Sequence, residues 1–160
     1  MSGLTQQELK TALDYDTVSG VFTWKKTIAW AVGTRAGSLH HTGRRYIRIK
    51  RKQYADHQLA FLFVHGYIPK EIDHIDMDKT NCAIANLRAC SRSLNKANQH
   101  KYSTNTSGYK GVHLHNGRWV ARIGVDYKRI FLGNFNTPEE AHVAYTNAAK
   151  TYFGSFAREV

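Results

Sequence analysis

Residues 71–99, EIDHIDMDKTNCAIANLRACSRSLNKANQ, hold side chains whose types and spacing suit one kind of chemistry. Asp73 and Asn95 offer oxygen donors for a hard divalent cation. His74, next to Asp73, carries an imidazole that accepts a proton near neutral pH. A cation held beside a base is the apparatus of metal-assisted hydrolysis.

The elements that position these groups follow from the pattern around them. Ile72 and Ile75 flank the Asp-His pair, which puts it on a packed strand. Neighbouring strand residues leave on opposite faces, so a bend or bulge must re-aim one of the two. Asp76 to Asn81 is rich in turn formers, and Ile84, Leu87 and Ala89 resume an apolar pattern able to return as a hairpin. Ser91 or Ser93 caps a following helix, Leu94 and Ala97 give it an apolar stripe, and Asn95 falls in its first turn, facing the hairpin.

Asp73-His74, Asn86 and Asn95, in this order and spacing, resemble the motif of HNH endonucleases. The nearest type is the phage free-standing and intron-encoded homing group, whose last motif position is Asn. The resemblance covers roughly residues 54–99. It implies a ββα-metal fold, DNA as substrate, and one Mg²⁺ or Mn²⁺ per active site held by Asp73 and Asn95. It also implies His74 as general base and Asn86 as the residue that orients the loop and the histidine. His57 resembles the histidine that precedes the motif in many phage members and reads as structural or phosphate-facing. A phosphodiester repels an incoming nucleophile and has a poor leaving group, and a cation at the phosphate and the 3′ oxygen relieves both problems. One metal and one base serve one strand, so cutting both strands requires a homodimer or re-binding by a monomer.

The charge agrees with a polyanionic partner. The formal charge is +11 and the pI about 9.8, and residues 1–56 carry 10 Lys and Arg against 4 Asp and Glu. Tyr46 to Lys50 alternates apolar and basic residues, so one face can pack while Arg48 and Lys50, with Lys52 beyond, meet phosphate. Double-stranded DNA is the expected partner, with no membrane and no small-molecule substrate. Cys82 and Cys90 are the only cysteines, which excludes a four-cysteine zinc site and argues against a disulfide framework. No apolar run is long enough to span a bilayer. An intracellular, reducing compartment is expected, such as the cytoplasm of a phage-infected bacterial host.

The remaining pattern predicts an α+β chain. A capped helix spans Thr5 to Tyr15, a strand Val21 to Trp24, and a buried helix Ala55 to Gly66. A polar stretch around residues 100–106 marks a domain boundary. Beyond it, Gly108 to Val112, Trp119 to Val125 and Arg129 to Phe135 read as strands, joined by turns at Asn116-Gly117 and Asp126-Tyr127. Thr137-Pro138-Glu139-Glu140 opens a helix whose apolar side uses Ala141, Ala144, Tyr145, Ala148, Ala149 and Tyr152.

Residues 107 to about 157 resemble the APETALA and ethylene-response-factor type of DNA-binding domain. That resemblance implies a three-stranded antiparallel sheet backed by one helix, with its strands in the major groove. Lys110, Gly111, His113, His115, Arg122 and Arg129 stand at matching contact positions, and Phe131 stands where a Trp is common. Histidines at 113 and 115, Arg122 in place of an acid and Gly124 in place of an Arg depart from the plant pattern, so the base sequence read by plant proteins does not carry over. Arg118, Arg122, Lys128 and Arg129 fall on neighbouring strands and turns, making one basic face. Trp119 is read as core.

The expected organisation is an HNH nuclease domain over 1–100, with a basic region 1–53 and a core 54–99. A linker at 101–106 and an APETALA-type domain over 107–160 complete it. The expected activity is metal-dependent, site-selective cleavage of DNA by a homing-type endonuclease. A non-catalytic DNA-binding regulator with a nuclease-like fold and a structure-selective repair or recombination nuclease are the alternatives.

Overall fold

The computed structural model describes residues 3–25, 31–101 and 103–158. Residues 26–30 of the basic region and residue 102 of the expected linker lie outside these. The chain is α+β, and its contacts group it into Met1–Ala89 and Cys90–Val160.

The first unit begins with α1 (Gln6–Ala12), closed by a capping box in which Thr5 accepts from the Glu8 amide and Glu8 accepts from that of Thr5. The helix stops three residues before the expected Tyr15. Leu13 and Tyr15 alternate with exposed Asp14 and Asp16, and this period of two forms β1 (Leu13–Asp16), antiparallel to β2 (Val21–Trp24). A three-stranded sheet follows, β3 (Ser38–Leu39), β4 (Arg45–Ile49) and β5 (Lys52–Ala55), in that spatial order. Ile47 and Ile49 are buried and Arg48 is exposed between them. Next come α2 (Asp56–His65), β6 (Glu71–His74) and β7 (Leu87–Cys90), with β6 and β7 paired. A single 3-10 turn, Ile84–Asn86, leads into β7.

One core unites the N-terminal segment with the nuclease motif. Leu9, Leu13, Tyr15 and Phe22 pack with Leu59, Phe61 and Leu62 of α2 and with Ile72 and Leu87 of the hairpin. Tyr15 stacks on Phe22 with ring centroids 4.5 Å apart. Fully burying a Leu such as Leu13 contributes about 2 kcal/mol, so this segment is part of the scaffold and more than a basic arm.

The second unit starts with α3 (Arg92–Asn98), for which Ser91 is the cap, accepting from the Leu94 amide at 3.2 Å. A three-stranded antiparallel sheet follows, β8 (Val112–His115), β9 (Arg118–Val125) and β10 (Lys128–Phe135), with β9 central. The first strand starts at Val112, later than Gly108. Gly111 adopts φ +73°, and a Cβ there would lie 2.3 Å from the Tyr145 ring, so the chain turns at this point. The last helix, α4 (Pro138–Phe153), has a Thr137–Glu140 capping box and Pro at its start. Its apolar side ends on Phe153, not on Tyr152, which is 47% exposed. Leu94 and Ala97 of α3 pack with Ile123, Tyr145, Ala149 and Phe153, and a second cluster joins Val112, Ala121 and Ala141. Trp119 packs against that second cluster, as expected.

Candidate active site and nucleic-acid interface

Strand β6 ends on the two residues of greatest chemical interest. Burial runs unbroken through Ile72, Asp73 and His74, at 7%, 4% and 5% exposure, so both faces of the strand are covered. A buried carboxylate needs a partner, and Asp73 has one in Arg88 on the paired strand. Arg88 Nε and Nη2 each donate to Asp73 Oδ2 at 2.8 Å. Sequence reasoning missed Arg88. The available signal was its place on the returning strand, two residues after Asn86, opposite a buried acid.

His74 faces a different set of neighbours. Its Nε2 lies 4.0 Å from Cys82 Sγ, and its ring centre is 5.3 Å from that of His57. Arg44 Nη1 in turn lies 3.0 Å from His57 Nδ1, and the Asp56 carboxylate lies 3.7 Å from the same nitrogen. Burial first, and then the positive fields of His57 and Arg44, pull the His74 imidazole down to about 4. It therefore stands in its neutral, proton-accepting form at physiological pH. His57 is a buried neighbour of His74 and Arg44, which agrees with a structural role. Arg44, Asp56 and Cys82 reach this point only through the fold.

Asn86 ties the intervening loop together. Its Nδ2 donates to Asp76 Oδ1 at 2.8 Å and to the Asn81 carbonyl at 2.9 Å, and its Oδ1 accepts from the Asp76 amide at 3.1 Å. The Ile75 amide donates to the Asn86 carbonyl at 2.9 Å, two residues from Asp73. Burial works against ionisation of Asp76, yet hydrogen bonds from Asn81, Asn86 and the Asp78 amide outweigh it and hold the carboxyl below its usual range. The far side of the loop is backed by the β1–β2 hairpin. Tyr15 Oη donates to the Cys82 carbonyl at 2.6 Å, and Gly20, at φ +71°, lies so close that a Cβ would be 2.3 Å from the Ala83 nitrogen.

Asp73 is a buried oxygen donor held in one orientation, with its Oδ2 engaged by the Arg88 guanidinium. Among the described residues no group of three or more His, Cys, Asp and Glu is arranged to hold a metal. Asn95, the other expected ligand, stands on α3 in the second unit.

The expected DNA-contacting residues fall in both units. In the first, Arg48 is exposed on β4, and Lys50 pairs with Glu8. Lys52 holds its ammonium 5.7 Å from the centre of the Tyr54 ring. In the second, the register places His115 opposite Arg118, Arg122 opposite Phe131, and Arg129 opposite Gly124. With alternation along each strand, His113, His115, Arg118, Arg122, Arg129 and Phe131 share the face turned away from Ala121 and Ile123. His113 is half-buried, and burial, then the charges of Arg122, His115 and Arg129, hold its imidazole below its ordinary range. Lys128, at the strand end, is exposed.

Lys110 departs from the expectation of a DNA contact. Its Nζ donates to the carbonyls of Lys96, Ala97 and Gln99 at 3.1, 2.7 and 2.8 Å, clasping the C-terminal end of α3. Burial, and after it the charge of Arg158, bring this ammonium down to about 8. An amine committed to three carbonyls is not presented to phosphate.

Comparison with known proteins matches two segments of the chain. Residues 54–97 match the HNH endonuclease family. The chain is 32% identical over 99 residues to an uncharacterized HNH endonuclease of Acanthamoeba polyphaga mimivirus, covering 60% of this chain and 51% of that protein. It is 50% identical over 60 residues to an ethylene-responsive transcription factor of Arabidopsis thaliana, covering 35% of this chain and 14% of that protein. An AP2-like ethylene-responsive transcription factor of the same plant is 49% identical over 57 residues, 33% of this chain and 16% of that protein. The chain thus spans about half the length of the viral relative and a small part of the plant ones. No helix among the described residues is long and apolar enough to cross a membrane. Residues 54–97 thus match the HNH endonuclease family, in one chain with a segment similar to AP2-like and ethylene-responsive transcription factors.

Proposed function

We infer that this chain is a metal-dependent, site-selective endonuclease of double-stranded DNA, of the homing type. The observation that carries this reading is the adjacent burial of an Arg88-anchored carboxylate, Asp73, and an imidazole kept in its base form, His74. Asp73 supplies one oxygen ligand to a single Mg²⁺ or Mn²⁺. The HNH resemblance adds Asn95, 22 residues on in the sequence, as the second. A divalent ion bound there would supply the positive charge that phosphodiester hydrolysis needs at the phosphate. His74 takes the proton from the attacking water, and it is neutral in the free protein at physiological pH. Asn86 holds the loop that follows His74, and Arg88 holds Asp73 in orientation. The sheet face bearing His113, His115, Arg118, Arg122 and Arg129, with Lys128 at its edge, positions the substrate through phosphate and base-edge contacts. Arg48, Lys50 and Lys52 add phosphate contacts from the first unit.

Incubation of supercoiled plasmid with the wild-type chain and with Asp73→Ala, each with Mg²⁺ and with a chelator, tests this. Nicking by the wild type in Mg²⁺ alone is the expected result. Binding without nicking in any divalent metal would identify a DNA-binding regulator instead.

A further inference from the structure

The second unit contains a cleft that adjoins the basic sheet face through Lys128 and Arg129 and is walled on its other side by α3. It has a volume of about 290 Å³ and is lined by Arg92, Ser93 and Lys96 of α3 and by Gly124, Tyr127, Lys128 and Arg129 of the β9–β10 hairpin. The lining holds four cationic side chains and no acidic one. Ser93 Oγ accepts from the Asp126 amide at 3.2 Å, fastening the hairpin turn to the helix, while Lys110 fastens the other end of α3. The cleft walls are therefore joined to each other.

Two backbone features point to a ligand. The chain crosses the turn with Asp126 at φ +45° and Tyr127 at φ +66°, and the opposite hairpin of the same sheet does so with Asn116 at +48° and Gly117 at +73°. Asn-Gly is the sequence that such a turn favours; a tyrosine at the second position is strained. Tyr127 is also 90% exposed, so packing does not compensate for it. Gly124, by contrast, is not in the left-handed region, and a Cβ there would meet only the Lys128 carbonyl at 3.9 Å. Its backbone has no need of glycine, and the missing side chain leaves the floor of the cleft open.

Resting on the DNA reading above, we propose that this cleft is a second phosphate site. It extends the track of the sheet face along the DNA backbone, with Arg92 and Lys96 adding phosphate contacts to those of Lys128 and Arg129, and Tyr127 contacting sugar and phosphate. A neighbouring groove lined by Arg122 and His113 shares Gly124 and Arg129 with it, so the basic track is continuous from sheet to helix. The ligand class is the phosphodiester backbone, and no base identity is read here.

Fluorescence anisotropy with a plain DNA duplex over a KCl series tests the site in the full chain. Arg92→Ala/Lys96→Ala is expected to weaken binding about ten-fold or more and to reduce the salt slope by about 1 to 2, at roughly 0.9 for each phosphate no longer neutralised. Tyr127→Gly removes the turn strain, so it is expected to raise Tm while weakening binding several-fold. A variant that became more stable and bound as before would overturn the role of Tyr127. If Arg122→Ala weakens binding but Arg92→Ala/Lys96→Ala leaves affinity and slope unchanged, the cleft is overturned and the DNA reading stands. Absence of duplex binding by the wild type overturns both.

Discussion

Arg88 reaches across the hairpin to Asp73 through both Nε and Nη2, and the two contacts converge at 2.8 Å on the same oxygen, Oδ2. The pair is largely buried, with 18% and 5% of the two side chains exposed. Removing one partner of such a pair leaves an uncompensated charge. Arg88→Ala should lower the unfolding free energy by about 3–5 kcal/mol, measured by urea denaturation. In the Asp73→Ala background the same change should have a much smaller effect, because the orphaned carboxylate is gone. Equal effects in both backgrounds would remove the coupling.

The depressed proton affinity of His74 gives a pH signature in the metal-free protein. Its unfolded reference is 6.5 and its folded value about 4. Above pH 6.5 both states are neutral and the group adds no slope. As pH falls from 6.5 to about 4, the unfolded chain takes up a proton that the folded chain refuses, so stability declines, by about 3 kcal/mol in all. Urea denaturation in EDTA across this window should show the slope, and His74→Gln should reduce it. A slope unchanged by the substitution would assign it to other groups.

The close approach of Gly20 to Cys82 and Ala83 makes the N-terminal hairpin a support of the motif loop. Gly20→Ala should destabilise the first unit by roughly 2 kcal/mol or more, from the strain of a positive φ and the clash with the loop. Deletion of residues 1–53 should leave residues 54–97 without a cooperative unfolding transition. A well-folded fragment, seen by near-UV circular dichroism, would contradict the shared core.

Lys110 and Arg122 should separate cleanly. Lys110→Ala removes hydrogen bonds from a charged donor at the end of α3 and should destabilise by about 1.5–3 kcal/mol. Arg122→Ala, on an exposed position, should change stability by no more than about 0.5 kcal/mol. It should lower the salt slope of DNA binding by about 1. Thermal melts and anisotropy on both variants provide the comparison.

Much of the fold was legible because local signals and tertiary demands agreed. Asn116-Gly117 set one hairpin, Thr137-Pro138 opened α4, and the alternation around Arg122 marked the outward face of the sheet. The misses arose where tertiary pairing overrode local pattern. Leu13 and Tyr15 extend a helical stripe on paper, but pairing with Trp24 and Phe22 draws them into a strand. Lys110 stood at a family contact position, and nothing local shows that the end of α3 lies beside it. At the site, Asp73 and His74 were legible from residue type and spacing, and Asn86 entered through the HNH resemblance. Arg88, Arg44, His57 and Asp56 acquire their roles from contacts between segments far apart in sequence, which periodicity does not carry.

The proposed mechanism stands or falls on His74 acting as the base and not as a DNA ligand. The most direct test is the nicking rate of His74→Ala in Mg²⁺ at saturating DNA, with affinity measured in parallel by anisotropy. A general-base role predicts a rate lower by roughly two or more orders of magnitude with affinity near that of the wild type. A rate close to wild type, or a loss of affinity that matches the loss of rate, would contradict it.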